Sequence, residues 1–400
     1  MTIALSLFLF AYLLGAIPFG YLIGHYRGVD LFRAGSGNTG ATNTGRVLGR
    51  PFGLLVFALD FLKGALPVAF AQPLAKMWDA EAVESLRPPE LLRVGAAAFA
   101  FLGHLFPIYL GFRGGKGVAT GAGAVVVLVP IPAAVALGTW ALAVLATRMV
   151  SVASVAAVLA LTAARLLLKS DPFSEANGLA TSFCIAGALI VIVKHRTNLA
   201  RIRRGTESQI EDSPRRRLLL RMLHLLAVGF WFGSGTFFVF VATVPIFDSF
   251  ADVVKTQPNA YTANLRIVPE GTSETLRDRL ASGLAGAAVG PIFPRFFSLS
   301  AVCAWVALWT AYAWMGSGVG RGRFRLCALA ALGVALGWPL SRHVSELRLL
   351  RFAESEAVAQ AAAAAFGPWH VASLLLSMAV CVLTGVILLL ASKMPVEDAL

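Results

Sequence analysis

Three polar clusters in an otherwise apolar chain hold the residues able to do chemistry. The first is Gly35-Ser36-Gly37-Asn38-Thr39-Gly40-Ala41-Thr42-Asn43-Thr44-Gly45-Arg46. The second is Gly114-Gly115-Lys116-Gly117-Val118-Ala119-Thr120, and the third is His195-Arg196-Thr197-Asn198. Each joins backbone donors or a cation to small polar side chains, which is the chemistry of holding phosphate. In the first, closely spaced Gly35, Gly37 and Gly40 let N–H groups approach an anion. Ser36, Asn43 and Arg46 add directed donors there, and a plain loop has no need of Asn38 and Thr42 beside them. In the second, a Gly-Gly-Lys-Gly turn opens an apolar helix whose positive end makes an anion seat, with Lys116 as a point charge. In the third, the three-residue spacing puts His195 and Asn198 on one face of a continuing helix. A histidine there titrates near neutrality and can take a proton from an attacking hydroxyl.

Two nucleotide-binding patterns are excluded by context. Gly35, Gly37 and Gly40 spell G-x-G-x-x-G, with Asp60 twenty residues on, but the motif follows an apolar run and Asp60 lies inside the next one. The second cluster fails as a phosphate-binding loop of the G-x-x-x-x-G-K-[ST] type. Leu110 stands at the first glycine, and Gly117 replaces the magnesium-holding hydroxyl.

The elements that position these clusters are membrane helices. Only 14% of the 400 residues are charged and 58% are hydrophobic, well short of the charge of a soluble domain. The net charge of +13 sits in short segments between apolar runs. Anionic headgroups and cytoplasmic loops explain it, and nucleic acid does not. Cys184, Cys303, Cys327 and Cys381 stand singly in apolar stretches, so neither a disulfide framework nor a metal site is expected. The first apolar run, Ile3 to Ile23, lacks a basic leader and a cleavage site and reads as a retained span.

Charge asymmetry orients the spans. Segments 25–50 and 194–217 are strongly basic, whereas 75–93 and 169–177 lean acidic. If the basic loops are cytoplasmic, the long 117–168 stretch, interrupted by Pro130, Pro132 and Arg148, must cross an odd number of times. Three crossings there give seven spans before residue 200, with all three clusters on the cytoplasmic face. A polar stretch at 201–217 ends this half. Four more spans follow, with polar excursions at 248–284 and 342–366 expected outside. The expected fold is an all-α polytopic membrane protein of about eleven spans, a seven-helix domain over 1–212 and a four-helix domain over 213–400. Asp60 and Lys63 lie inside an apolar run at a spacing that lets them pair, and read as supporting residues.

Over residues 1–210 the chain resembles the bacterial acyl-phosphate:glycerol-3-phosphate acyltransferases. Three stretches carry the likeness: Gly35–Arg46, Gly103-His104 through Phe112–Thr120, and His195 through Glu207. The resemblance implies an inner-membrane enzyme that moves a fatty acyl group from acyl phosphate to the 1-hydroxyl of glycerol 3-phosphate, giving lysophosphatidic acid and phosphate. It also implies catalytic roles for Ser36, Arg46, Lys116, His195 and Asn198. Substrate contacts are expected from Gly35, Gly37, Asn38, Thr42, Asn43, His104, Gly114, Gly115, Gly117 and Thr120. No cofactor is implied, and a partner enzyme that produces the acyl phosphate fits the scheme. Residues 218–400 resemble an uncharacterised four-span bacterial membrane domain through His224…Trp231-Phe232-Gly233, Phe293-Pro294-Arg295-Phe296-Phe297 and Trp369-His370. Two rival readings stand beside the enzyme: a transporter of organic phosphates, and the same transfer from acyl-CoA.

Overall fold

The computed structural model describes residues 2–79, 88–254, 272–290, 292–315 and 318–392. All secondary structure among the described residues is helical, and the chain divides into two compact units, Met1–Glu211 and Asp212–Leu400.

Unit 1 is built from apolar runs cut by proline and glycine. Helices α1 (Thr2–Ala16) and α2 (Phe19–Tyr26) are one run broken at Pro18, which removes a backbone donor and disfavours helix in the residue before it. Next come α3 (Ala41–Leu48), α4 (Arg50–Asp79) and α5 (Pro88–Leu105). The 117–168 stretch forms three helices, α6 (Val118–Leu128), α7 (Pro130–Thr147) and α8 (Val150–Leu168). Pro130 takes the first position of α7, and Arg148 turns the chain in a left-handed conformation at φ 60°. The last two are α9 (Gly178–Lys194) and α10 (Arg196–Arg203).

The sequence leads to an expectation of about eleven spans. Among the described residues nine helices are long and apolar enough to cross a membrane, or ten if α9 and α10, bent by 52°, count as one. The shortfall is α6: its 11 residues reach only about 16 Å, roughly half the hydrocarbon thickness.

Backbone-to-backbone packing fixes α6 against α4. A Cβ at Gly64 would lie 2.0 Å from the Thr120 carbonyl, and one at Gly123 would lie 2.0 Å from that of Phe61. Polar ties hold the end of the unit remote from the clusters. Glu90 accepts from the Ala180 N–H, and Arg165 donates to Thr181 and Asn177. The starts of α5 and α9 and the end of α8 therefore meet there. The opposite ends of the same helices carry the polar clusters. Between the two ends lies an apolar core around Val68, Val125, Leu128 and Leu161.

Unit 2 contains α11 (Pro214–Thr236), α12 (Thr243–Val254), α13 (Glu274–Val289), α14 (Ile292–Tyr312), α15 (Gly318–Leu350) and α16 (Glu356–Ser392). Helices α11, α14, α15 and α16 pack as a bundle around Val228, Trp231, Ala307, Cys327, Ala330 and Ile387. Both polar excursions are partly helical. Residues 248–254 and 274–284 are helical, α15 runs on to Leu350 and α16 begins at Glu356, while 255–271 lie outside the described residues.

Candidate active site

The first cluster folds around one side chain. Asn43, 2% exposed, accepts the Ser36 N–H at 2.7 Å and donates to the carbonyls of Asn38 at 2.8 Å, Ala34 at 3.0 Å and Leu31 at 3.3 Å. Asn38 in turn accepts the Gly40 N–H at 2.8 Å. Positive φ angles at Gly35 (62°) and Gly37 (67°) let the loop close, and a Cβ at Gly35 would sit 2.3 Å from Asn43 Oδ1. This knot leaves Ser36, Thr42 and Arg46 exposed above it.

The second cluster is a turn moulded on His104. The Gly115 N–H donates to the His104 carbonyl at 3.2 Å, and a Cβ at Gly115 would lie 2.2 Å from His104 Nε2. Gly117 stands at φ 84° as the cap of α6, with no side chain capping that helix. Below the turn, Asp60 and Lys63 pair at 2.8 Å, each about 3% exposed. Lys63 also donates to the Ile17 carbonyl at 2.7 Å, and His104 Nδ1 stands 3.7 Å from Asp60. A cavity of about 250 Å³ beside this trio is lined by Thr39, Gly114 and Gly115.

The third cluster departs from a continuing helix. His195 sits at the bend between α9 and α10, 3% exposed, with Nδ1 2.8 Å from the Val191 carbonyl. Because a carbonyl only accepts, Nδ1 carries the hydrogen and Nε2 is left as a bare acceptor. Asn198 accepts from the Lys116 ammonium and donates to Glu207 at 2.7 Å, and Glu207 takes a second bond from Arg201 at 2.8 Å. Burial opposes the charge on Glu207, yet the donors from Asn198 and Arg201 outweigh it and hold the carboxyl below its usual range. Burial, with repulsion from Arg201 and Arg46 partly offset by Glu207, pulls Lys116 down to about 8.

The three clusters share one cavity of about 860 Å³, counting its open mouth. Ser36, Asn38, Thr42, Asn43, Arg46, Asp60, His104, Lys116, Gly117, His195 and Asn198 all line it. So do the first residues of three helices: Ala41 of α3, Val118 of α6 and Val150 of α8. Each presents unpaired N–H groups and a positive dipole end.

A family model described as glycerol-3-phosphate acyltransferase matches residues 5–205. The chain belongs to the glycerol-3-phosphate acyltransferase family. A Synechococcus elongatus glycerol-3-phosphate acyltransferase is 40% identical over 205 residues, 50% of this chain and 92% of the relative. One from a Roseiflexus species is 43% identical over 212 residues, 52% of this chain and 97% of the relative. The crystal structure of PlsY (YgiH), an integral membrane glycerol 3-phosphate acyltransferase, in its glycerol 3-phosphate form is 36% identical. It covers 52% of this chain and 96% of its own, with a TM-score of 0.46.

Within this acyltransferase, some residues expected at the substrate stand elsewhere. Thr120 is fully buried where α6 crosses α4, because the close approach at Gly64 shuts it between the helices. Asn43 lines the cavity, but its amide is committed to the loop. Gly35 and Gly37 shape that loop, and Gly114 and Gly115 border the smaller cavity rather than the larger. Other wall residues carried no signal of their own: Phe57, Trp140, Ser151, Ser154 and Glu207. Only Glu207, inside the third motif, was within reach of sequence reading. Among the described residues no three His, Cys, Asp or Glu side chains gather to hold a metal ion.

Proposed function

We propose that residues 1–212 transfer a fatty acyl group from acyl phosphate to the 1-hydroxyl of glycerol 3-phosphate, releasing lysophosphatidic acid and inorganic phosphate. One observation carries this reading: a single cavity gathers three helix N-termini, Arg46, Lys116 and the bare Nε2 side of His195. Two phosphate-bearing substrates need that density of positive ends, and one of them brings a hydroxyl to be deprotonated. Arg46, Lys116 and the first N–H groups of α3 and α6 hold the phosphates. Asn198, itself held by Glu207, steadies the Lys116 ammonium. The acceptor oxygen bonds to the acyl carbon as the bond from that carbon to the phosphate oxygen breaks, and the proton passes to His195 Nε2 or to a phosphate oxygen. Ser36 and nearby N–H groups stabilise the tetrahedral oxyanion. Phosphate leaves readily, so positioning does most of the work. Lys63, Asp60 and His104 brace the glycine turn from below.

The protein is a multi-pass membrane protein, and the cavity is lined by Arg46 and its neighbours from the basic segment 25–50 and by His195, Asn198 and Glu207 from the basic segment 194–217. We infer from this charge that the site faces the cytoplasm across the inner membrane, where a partner enzyme supplies acyl phosphate. The test is purified full-length protein with glycerol 3-phosphate and either palmitoyl phosphate or palmitoyl-CoA. Lysophosphatidic acid is expected from the phosphate donor alone, and His195→Ala and Ser36→Ala each lower turnover more than about tenfold. Product from the CoA donor alone, or near-normal rates in both variants, would overturn the reading.

A further inference from the structure

Unit 2 lies outside the residues matched to the acyltransferase family, and most of its bundle core is apolar, with one group of buried polar side chains near the start of α15. There His224 of α11, Thr310 of α14 and Arg323 of α15 converge, and Arg323 donates to the Leu390 carbonyl of α16 at 3.4 Å. Thr310 directs its hydroxyl hydrogen to the Val306 carbonyl at 2.7 Å. It therefore accepts from His224 Nδ1–H, 2.8 Å away, and Nε2 is left with a lone pair. That Nε2 has no hydrogen-bond partner among the described residues, although His224 is fully buried. Arg323 Nε is likewise buried and unpartnered, and Arg323 is within electrostatic reach of the imidazole.

Two buried, unmet groups of opposite sense thus stand within electrostatic reach of one another, a donor on a full positive charge and a neutral acceptor. An arginine near a span end ordinarily extends toward headgroups. Its neighbours Arg321 and Arg325 are exposed, whereas Arg323 is only 5% exposed. Among the described residues no carboxylate pairs with it. A water molecule could meet both hydrogen bonds but would leave the charge uncompensated, and a buried cation needs an anion. Cores of four-helix bundles commonly build ligand sites from side chains on facing helices. The exposed arginines flanking this end concentrate anions there.

We propose that this end of the unit 2 bundle is a binding site for a phosphate group that also presents a hydroxyl hydrogen, as in a phosphate monoester. Arg323 takes the anionic oxygen and His224 Nε2 accepts from the P–OH. A phosphatidic-acid headgroup and free inorganic phosphate share this chemistry. The site stands apart from the acyl-transfer reading, because none of its residues lines the unit 1 cavity.

Native mass spectrometry of the full chain in detergent tests it, with dioctanoyl phosphatidic acid, dioctanoyl phosphatidylcholine and inorganic phosphate as probes. Wild type is expected to hold one saturable phosphatidic acid that Arg323→Gln and His224→Phe bind at least about tenfold more weakly, with acyl transfer unchanged. Comparing each variant with wild type separates this site from the unit 1 cavity. Displacement of the lipid by inorganic phosphate would identify free phosphate as an occupant, and resistance to displacement would identify the lipid headgroup; either supports the site. Equal binding by wild type and both variants, or equal affinity for phosphatidylcholine, would overturn it. Should the variants fail to fold, photoactivatable phosphatidic acid on the wild-type chain decides. Competed cross-links to peptides containing His224 or Arg323 are expected, and cross-links confined to other peptides refute the site.

Discussion

Lys116 offers the sharpest test of the acyl-transfer site. Its ammonium, half-buried and repelled by Arg201 and Arg46, loses its proton at about 8. The side chain is cationic below that value and neutral above it, so phosphate binding should fail as pH rises. At pH 9 only about one tenth of the free enzyme keeps the charge, and kcat/KM for glycerol 3-phosphate should be roughly tenfold below its plateau. The substrate phosphate is already fully ionised there, with its second pKa near about 6, and does not produce this limb. Bound phosphate favours the ammonium, so the limb in kcat should lie at higher pH than that in kcat/KM. The assay is a pH profile of initial rates with palmitoyl phosphate held saturating. In Lys116→Arg the guanidinium stays charged throughout. The limb should vanish, even though the planar fork fits the Asn198 contact poorly and lowers the maximum rate. An unchanged limb in Lys116→Arg would refute the assignment of this titration to Lys116.

Three further outcomes follow from the same geometry. Asp60→Asn leaves the Lys63 ammonium buried without a counter-charge and should cost about 3–5 kcal/mol; pairing it with Lys63→Met should cost less than Asp60→Asn alone, measured by thermal unfolding in detergent. Additive losses would show that the two charges do not depend on one another. Gly115→Ala sets a methyl 2.2 Å from His104 Nε2 and should lower kcat/KM by about a hundredfold as the turn shifts; adding His104→Ala makes room and should restore part of it, and no recovery would place the strain elsewhere. A chain ending at residue 212 should keep its transfer activity in the palmitoyl phosphate assay; loss of activity from a folded, membrane-inserted product would show that unit 2 contributes to catalysis.

Much of the site was legible in the residues. Glycines at 35, 37 and 117 announced turns, and all three adopt positive φ. The spacing of Asp60 and Lys63 announced a pair, and they form one. The span count was less legible, because mean hydropathy registers how apolar a segment is and not how far it reaches. The run from 117 to 168 shows its breaks at Pro130 and Arg148 but not that an 11-residue helix is too short to span, and the straight path assumed from Lys194 through Asn198 bends by 52°. Thr120 and Asn43 show a further limit: a polar side chain beside a phosphate-binding turn can as readily serve the fold as the ligand. Their partners are the Gly64 contact and the 31–38 backbone, neither of which any local spacing encodes.

By itself the sequence determined the solvent this protein folds in, the helical character that solvent enforces, and the phosphate chemistry of three clusters. Those properties follow from local composition, since an apolar segment in lipid must satisfy its own backbone. Tertiary structure alone decided which donors remain free for substrate. Hydrogen-bonding capacity is used up by whatever neighbour arrives first; Asn43 is taken by its own loop, and the neighbours of Asn198 and His224 come from a distant turn and another helix.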